Sequence, residues 1–344
     1  MTSDQTATRR VAFLDAAKGI AISLVVFGHV LGGALARNWI NPPNAAELAY
    51  KFIYTFHMPF FFIVSGALAI DHIRRAPFDA FISRCCSIAW PYILWSAIFI
   101  AIQSYLAKFM LFPPIDLGVA ASLWRVLLGE TSWFLWALFI CQVLLLSAAV
   151  VPVLAIFCVS ILAALIADRY DMGHFGDVIH FMPYLALGAM IGSRIKTPLV
   201  SSRATSMVVS MAIFVLVFIF TRLGIERNEL TDLLVGFAGA TAIALLAYTL
   251  AAGSGATGAV TKIGEASLVI FLLHPYAQSA ARMLITKFAG SDLAFQLIIP
   301  TLVGILAPSL IWLLAERFGF GWLFRLPVSR TPASTVVSAT KQSI

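Results

Sequence analysis

Two apolar segments of the chain each contain a histidine whose position suits acid–base chemistry. His29 closes the run Lys18–His29, and His57 stands within Phe-His-Met-Pro. A titratable side chain is costly at membrane depth, so such residues usually face a bundle interior or a watery cavity. Imidazole acts as a base or as a nucleophile near neutral pH. The two histidines therefore indicate a membrane enzyme rather than a passive set of spans.

Asp15, Lys18 and His29 lie on one face of the first predicted helix. At about 100° per residue, Lys18 is roughly 20° from His29 around the axis and Asp15 roughly 40°. The rise per residue separates Lys18 from His29 by about 16 Å along the axis. This face therefore leads from a charged pair to a histidine. A structural role stays open, with His29 hydrogen-bonded in the bundle and Lys18 reaching the interface.

The second predicted helix places His57 at a depth similar to that of His29. Because the two helices follow one another in antiparallel order, their imidazoles are expected to lie near each other. Pro59 removes a backbone donor and loosens the helix, which makes room for a cavity. In the alternative, His57 is structural and binds a carbonyl that is freed near Pro59.

The composition predicts an all-α, polytopic membrane protein with one bundle of about ten helices. Apolar residues make up 61% of the 344 and charged residues 11%, and the mean hydropathy is +0.94. Soluble domains contain about 45–50% apolar and about 25% charged residues. Apolar windows long enough to span cover residues 13–35, 50–70, 86–107, 132–149, 150–167, 179–194, 204–222, 231–252, 264–286 and 295–316.

The remaining segments complete the predicted organisation. Residues 1–12 form an N-terminal segment, 13–320 the membrane domain, and 321–344 a disordered tail that lacks apolar periodicity. Residues 119–129 have the pattern of an amphipathic helix at an interface. With both termini inside, inner segments hold 13 Lys and Arg residues and outer segments 8, as the positive-inside rule expects. The net charge of +7 therefore reflects topology and not nucleic-acid binding.

Three further sets of residues are interpreted as structural. The cysteines lie in or beside spans and indicate neither a disulfide nor a metal site; they are Cys85, Cys86, Cys141 and Cys158. Five polar residues look metal-like but occupy a short outer loop, where solvated charge is expected; they are Asp168, Asp171, His174, Asp177 and His180. The glycines of 253–258 match a dinucleotide fingerprint by spacing only, because no βαβ unit surrounds them.

Several motifs in order resemble the acyltransferase-3 membrane family, and in particular its fucose 4-O-acetylase-like branch. The resemblance extends over about residues 10–320. The motifs are Leu14-Asp15-Ala-Ala-Lys18-Gly19, Gly28-His29, Phe56-His57-Met-Pro-Phe-Phe-Phe-Ile-Val-Ser65-Gly66, Trp133-Phe-Leu-Trp136 and Phe271-Leu-Leu-His274-Pro275-Tyr276.

The resemblance implies O-acylation of a bacterial surface carbohydrate at the inner membrane. It implies acetyl-CoA as co-substrate and no permanently bound cofactor. The basic-x10-His pattern of the family maps onto Lys18 and His29, and it makes His29 the catalytic residue. Many members also have Arg-x-x-Arg before the third helix. Here Arg84 is followed by Ser87 at the second position, which weakens the expectation that this loop binds the donor.

This chemistry predicts a role for each candidate residue. Acyl-CoA is anionic and cytoplasmic, so its phosphates are expected at three inner cations, Arg74, Arg75 and Arg84. The thioester would reach His29 along the face of the first helix and meet a sugar hydroxyl from outside. His29 is favoured as a base over a covalent acyl carrier. His57 would orient it or stabilise the oxyanion, and Asp15 with Lys18 would hold the inner mouth.

Glu130, Trp133 and His274 are further candidates for the acceptor site or the cavity lining. A carboxylate and an aromatic face suit a sugar, although a tryptophan at that depth is also an ordinary interface anchor. His274 lies near the middle of its span beside Pro275, where a structural role is as plausible. Two alternatives to an enzyme remain: a transporter or flippase for a glycan or a small solute, and a non-catalytic scaffold.

Overall fold

A computed structural model of the chain describes residues 3–106, 118–167, 169–170, 172–197, 199–200, 202–224, 228–250, 256–289 and 292–327. These residues form helices and connecting turns with no β-strand among them, so the all-α prediction is confirmed. The α-helices are α1 (Ser3–Ala36), α2 (Asn44–Tyr54), α3 (His57–Arg75), α4 (Pro77–Arg84), α5 (Trp90–Leu106), α6 (Gly118–Leu127), α7 (Trp133–Leu145), α8 (Val153–Ala167), α9 (His174–Ile191), α10 (Arg203–Leu223), α11 (Glu229–Leu250), α12 (Ala256–Glu265), α13 (Ser267–Ala289) and α14 (Leu293–Arg317).

Eight helical segments of the described chain are long and apolar enough to cross a membrane, in agreement with a multi-pass protein. The fourth and fifth predicted spans are shorter apolar helices, at Trp133–Ala149 and Val153–Ala167. They are short because α7 tightens into a 3₁₀ turn at Leu146–Ala149 and the chain reverses before Pro152, which cannot donate a helical hydrogen bond.

Successive long helices alternate in direction through the bundle. We call the end near Asp15, where α1 enters, the proximal face, and the end near Ala36 the distal face. The helix begins at Ser3, so residues 3–12 continue α1 rather than forming a separate segment. The helix α6 covers most of residues 119–129, for which an amphipathic helix was predicted. Residues 253–255 of the glycine-rich stretch lie outside the described residues, and 256–258 begin α12.

The second predicted span is two helices instead of one. The helix ends at Tyr54 and restarts at His57 after a turn. Pro59 is the third residue of α3, a position where its missing N–H costs little. The break therefore places His57 at the start of a helix, beside the last carbonyl oxygens of α2.

Glycines hold α3 and α9 in backbone contact. A β-carbon at Gly66 would meet the backbone of Leu185, and one at Gly188 would meet the backbone of Ile63. Small residues at a membrane helix interface permit this close approach. Because these contacts hold the two helices together, they also fix the positions of the distal halves of α3 and α9 relative to each other.

The segment after α14 folds back onto α5. The indole Nε1 of Trp90 donates to the carbonyl of Trp322 at 2.8 Å, and that of Trp95 donates to Leu323 at 3.1 Å. The amide of Leu326 donates to the Cys86 carbonyl at 3.1 Å. Residues 321–344 were predicted to be a disordered tail. Residues 321–327 are instead held against α5, because the two indoles donate to carbonyls of this segment. Residues 328–344 lie outside the described residues.

Candidate active site

Four helices each contribute one histidine to a single cavity of about 460 Å³ in the distal half of the bundle. The histidines are His29 of α1, His57 of α3, His180 of α9 and His274 of α13. Aromatic side chains form much of the remaining wall, among them Tyr54, Tyr92, Trp95, Trp133, Phe181 and Tyr276. The structure thus brings together histidines that are far apart in the sequence.

His29 is exposed on the wall of this cavity. Its ring contacts Tyr54, with 6.2 Å between ring centroids, and His274, with 5.0 Å. Among the residues that the structure describes, none forms a hydrogen bond with the His29 imidazole. Both ring nitrogens are therefore available to a substrate.

His57 is buried and tied to the helix break. Its Nδ1 lies 2.7 Å from the carbonyl oxygen of Ile53. Because a carbonyl only accepts, Nδ1 carries the proton and Nε2 is left as an acceptor. Tyr54 lies between the two predicted partners, since its ring contacts His57 at 4.8 Å as well as His29. His57 thus has a structural hydrogen bond to a backbone carbonyl and also lines the cavity.

His274 also donates from Nδ1 to backbone carbonyls of its own helix, next to a proline. Pro275 has no N–H for the carbonyl of Phe271, and His274 Nδ1 bonds this oxygen at 2.9 Å together with the Ile270 carbonyl at 2.9 Å. The ring is 2% exposed, and its Nε2 is buried without a hydrogen-bond partner in the described structure. Because Nδ1 is the donor, Nε2 is an unused acceptor in a ring that contacts His29.

His180 and Asp177 line the same cavity, although the sequence interpretation placed them in a solvated loop. His180 Nδ1 lies 2.6 Å from an oxygen of Glu229, at the start of α11. Asp177 bonds His174 at 2.9 Å. The predicted span began at residue 179, whereas α9 begins at His174, so that Asp177 and His180 are three residues apart on one helix. Asp168 and Asp171 lie outside the described residues.

The four histidines do not form a metal cluster in the described structure. No group of three or more His, Cys, Asp or Glu side chains within the described ranges is arranged to hold an ion. Three of the imidazoles already use Nδ1 on protein acceptors. The arrangement suits proton transfer and hydrogen bonding to a bound substrate.

The charged pair of α1 lies away from the cavity. Lys18 and Asp15 form an ion pair at 2.6 Å near the proximal face. Eleven residues separate Lys18 from His29, which is about 16 Å along the helix. Asp15 and Lys18 thus share a helix face with His29 but do not line the same cavity.

The predicted donor arginines lie at the proximal face in two settings. Arg74 and Arg75 are exposed at the end of α3, and Arg75 bonds the Asp71 carbonyl at 2.9 Å. Arg84 is half-buried, and its Nε has no partner among the described residues. Arg325, which sequence reasoning left in the tail, lies close enough to repel the Arg84 guanidinium.

Two predicted acceptor residues differ in placement. Trp133 lines the cavity and stacks on Phe181 with 5.6 Å between ring centroids. Glu130 is exposed and pairs with Arg125 at 3.1 Å, outside the cavity wall. The hydroxyls of Ser96 and Thr131 supply polar groups on the wall near them.

A family model described as an acyltransferase domain matches residues 11–320. The chain belongs to the acyltransferase-3 family. This confirms the family resemblance, and it favours an enzyme over the transporter alternative. The matched region contains every residue of the histidine cavity.

Two curated relatives show partial similarity to the chain. Nodulation protein NolL of Sinorhizobium fredii (strain NBRC 101917 / NGR234) is 37% identical over 136 residues, which is 38% of this chain and 34% of the relative. Nodulation protein NolL of Mesorhizobium japonicum (strain LMG 29417 / CECT 9101 / MAFF 303099) is 32% identical over 146 residues, or 41% of this chain and 36% of the relative. The similarity thus spans about a third of each relative. No solved structure gives a significant match.

Proposed function

We propose that this family member transfers an acyl group from cytoplasmic acyl-CoA to a sugar hydroxyl of a bacterial surface glycan. The acyl group proposed is acetyl. One observation carries the proposal. The His29 imidazole is exposed in the cavity and forms no hydrogen bond with a residue that the structure describes, whereas His57, His180 and His274 are held by protein acceptors. A group that must take up and release a proton needs this freedom, whereas groups that position it need fixed partners.

In the proposed reaction His29 accepts the proton of the sugar hydroxyl. The hydroxyl oxygen attacks the thioester carbonyl, and the tetrahedral oxyanion collapses with release of the CoA thiolate, which recovers the proton from His29. His274 presents its unused Nε2 acceptor to the imidazolium that forms, because the two rings are in contact. His274 is thus a positioning residue that stabilises the charged form of His29.

A neutral His57 does not suit oxyanion stabilisation. Its proton is on Nδ1 and is donated to the Ile53 carbonyl, so Nε2 has no hydrogen to offer. Tyr54 contacts the rings of both His29 and His57, and its hydroxyl forms a hydrogen bond with Tyr50. In this proposal His57 packs against Tyr54 and so positions the ring that contacts His29.

The acceptor is proposed to bind between the Trp133 wall and the polar groups of α9. A sugar presents both apolar ring faces and hydroxyls, and the cavity has aromatic side chains beside His180 and Asp177. Glu229 holds the proton on His180 Nδ1, which leaves Nε2 to accept from a sugar hydroxyl.

The donor phosphates are proposed to bind at the proximal face. Arg84 and Arg325 place two positive charges near each other there, and the planar fork of a guanidinium suits phosphate oxygens. Ser87, at the position of the second family arginine, bonds the Ser83 carbonyl instead at 2.6 Å. Arg325 thus replaces the missing cation, while Arg74 and Arg75 add exposed charge nearby.

The test compares surface glycans of a deletion strain that is complemented with wild-type protein, His29→Gln or His72→Gln. NMR measures O-acetyl content, and blotting of membranes checks equal protein levels. Wild type and the control His72→Gln, which alters a histidine outside the cavity, are expected to restore acetylation. His29→Gln is expected to lose it by roughly 10²-fold or more. Full restoration by His29→Gln would refute the assignment of the base.

A further inference from the structure

A second cavity, of about 470 Å³, lies at the distal face between the end of α1 and the end of α13. It is separate from the histidine cavity, and three of its lining side chains are cations. The polar and aromatic lining consists of Arg37, Trp39, Ser279, Arg282, Thr286 and Lys287. We call it the arginine pocket.

Trp39 brings two guanidinium groups of this pocket together. The Cζ of Arg37 lies 5.5 Å from the centroid of the Trp39 ring, and the Cζ of Arg282 lies 5.4 Å from it. Arg282 is anchored to α1 because its Nη2 donates to the Val30 carbonyl at 3.0 Å. Its Nε is buried and has no hydrogen-bond partner in the described part of the chain.

The charges of the arginine pocket are not balanced locally. Among the residues with described structure, no carboxylate forms an ion pair with Arg37, Arg282 or Lys287. Cations gathered beside one another repel, and an anion between them relieves that repulsion. The planar fork of arginine suits phosphate oxygens in particular.

The surroundings of the pocket indicate what carries this phosphate. Met283 lines the pocket. Leu284 and Phe288 lie about 100° and 140° from it around α13, and the three side chains form an apolar strip beside the pocket. These three side chains are 69%, 58% and 77% exposed. In a membrane-spanning helix such a strip contacts lipid. A ligand that enters the pocket from the bilayer would therefore combine an anionic head group with an adjacent apolar tail.

We propose that the arginine pocket binds the phosphate of a membrane lipid. The phosphate lies between Arg37 and Arg282, Lys287 adds positive charge at the edge, and the acyl chains run along the strip of Met283, Leu284 and Phe288. Binding at this site does not depend on the reaction proposed above, because the pocket and the histidine cavity have no lining residue in common.

The test measures lipid binding to the purified full-length protein by native mass spectrometry in detergent. The probes are phosphatidic acid, diacylglycerol with the same acyl chains, and inorganic phosphate as a competitor. Wild type is expected to retain phosphatidic acid and not diacylglycerol. Micromolar inorganic phosphate is expected not to displace the lipid, because the free ion lacks the apolar contacts.

The variant Arg37→Gln/Arg282→Gln is expected to weaken phosphatidic acid binding about tenfold or more, as for the loss of charged hydrogen bonds. Arg222→Gln is the matched control, since it removes an exposed distal cation outside the pocket. If the double variant does not fold, Arg37→Gln alone and Arg282→Lys, which keeps the charge but not the fork, replace it.

Three results would overturn the proposal. The first is equal affinity of Arg37→Gln/Arg282→Gln and Arg222→Gln for phosphatidic acid. The second is binding of diacylglycerol as tight as that of phosphatidic acid, which would assign the site to apolar contacts alone. The third is displacement by micromolar inorganic phosphate, which would indicate a site for the free ion instead of a lipid.

Discussion

The proximal and distal halves of α1 carry polar groups on the same helix face, but they leave those groups in opposite states. Asp15 and Lys18 satisfy each other in an ion pair at 2.6 Å. His29 has an exposed ring with no hydrogen bond to any described residue, and it opens onto a cavity. Residue type and spacing determine which face a group occupies. The presence or absence of a partner decides whether the group is available to a substrate.

In the proposed mechanism, the paired groups hold the proximal end where the donor enters, whereas the unpaired distal histidine moves the proton. Changes in the distal half are expected to lower kcat, because they alter the group that moves the proton. Changes at the proximal face are expected to raise the KM for acyl-CoA, because they remove charge that attracts its phosphates. The predictions below test that division with thiol release from acetyl-CoA in membrane vesicles.

The largest effect is expected from the contact between His274 and His29. His274→Asn keeps a donor for the Ile270 and Phe271 carbonyls but removes the acceptor at Nε2. We expect kcat to fall roughly 10- to 100-fold with KM little changed. His274→Gln places an amide near the lost Nε2 and is expected to recover part of the rate. Equal kcat in His274→Asn and wild type would show that the acceptor has no role.

A smaller effect is expected at the other end of α1. Lys18→Gln breaks the ion pair and leaves the Asp15 carboxylate unpaired at the proximal face, where it repels the CoA phosphates. We expect the KM for acetyl-CoA to rise roughly tenfold, with kcat within about threefold of wild type. Lys262→Gln, which removes an exposed cation from α12, is the matched control. A fall in kcat as large as that of His274→Asn would contradict the division of α1 into a binding and a catalytic half.

Arg325 tests whether the donor site extends to the C-terminal segment. Arg325→Gln is expected to raise the KM for acetyl-CoA roughly three- to tenfold, since one of two neighbouring guanidinium groups is lost. Arg317→Gln, an exposed cation at the end of α14, serves as control. An unchanged KM in Arg325→Gln would remove this residue from the donor site.

The smallest effect is expected from Glu229. Glu229→Gln weakens the charged hydrogen bond that orients His180, at 2.6 Å in the wild type. We expect the KM for the sugar acceptor to rise about threefold while the KM for acetyl-CoA is unchanged. Glu47→Gln, an exposed acid of α2, is the control. An effect on the donor KM alone would place His180 outside the acceptor site.

The class of fold and the family can be predicted from the amino-acid sequence alone. Long apolar windows require helices, because backbone polar groups have no other partners in lipid. The motifs around His29, His57 and His274 were sufficient to predict acyltransferase-3 membership. Local pattern also indicated that Pro59 disturbs the second span, since the effect of a proline on a helix is a property of its own backbone.

Tertiary structure decided which residues share the site. His180 reaches the cavity because α9 is fixed against α3 by glycine contacts and its ring is held by Glu229, 49 residues later. Arg325 approaches Arg84 only because tryptophan side chains of α5 bind the carbonyls of the last segment. Composition and periodicity describe each segment alone, whereas these contacts join residues that are distant in the chain. The exposure of the His29 ring also depends on tertiary structure, because the neighbouring helices form the cavity that it faces.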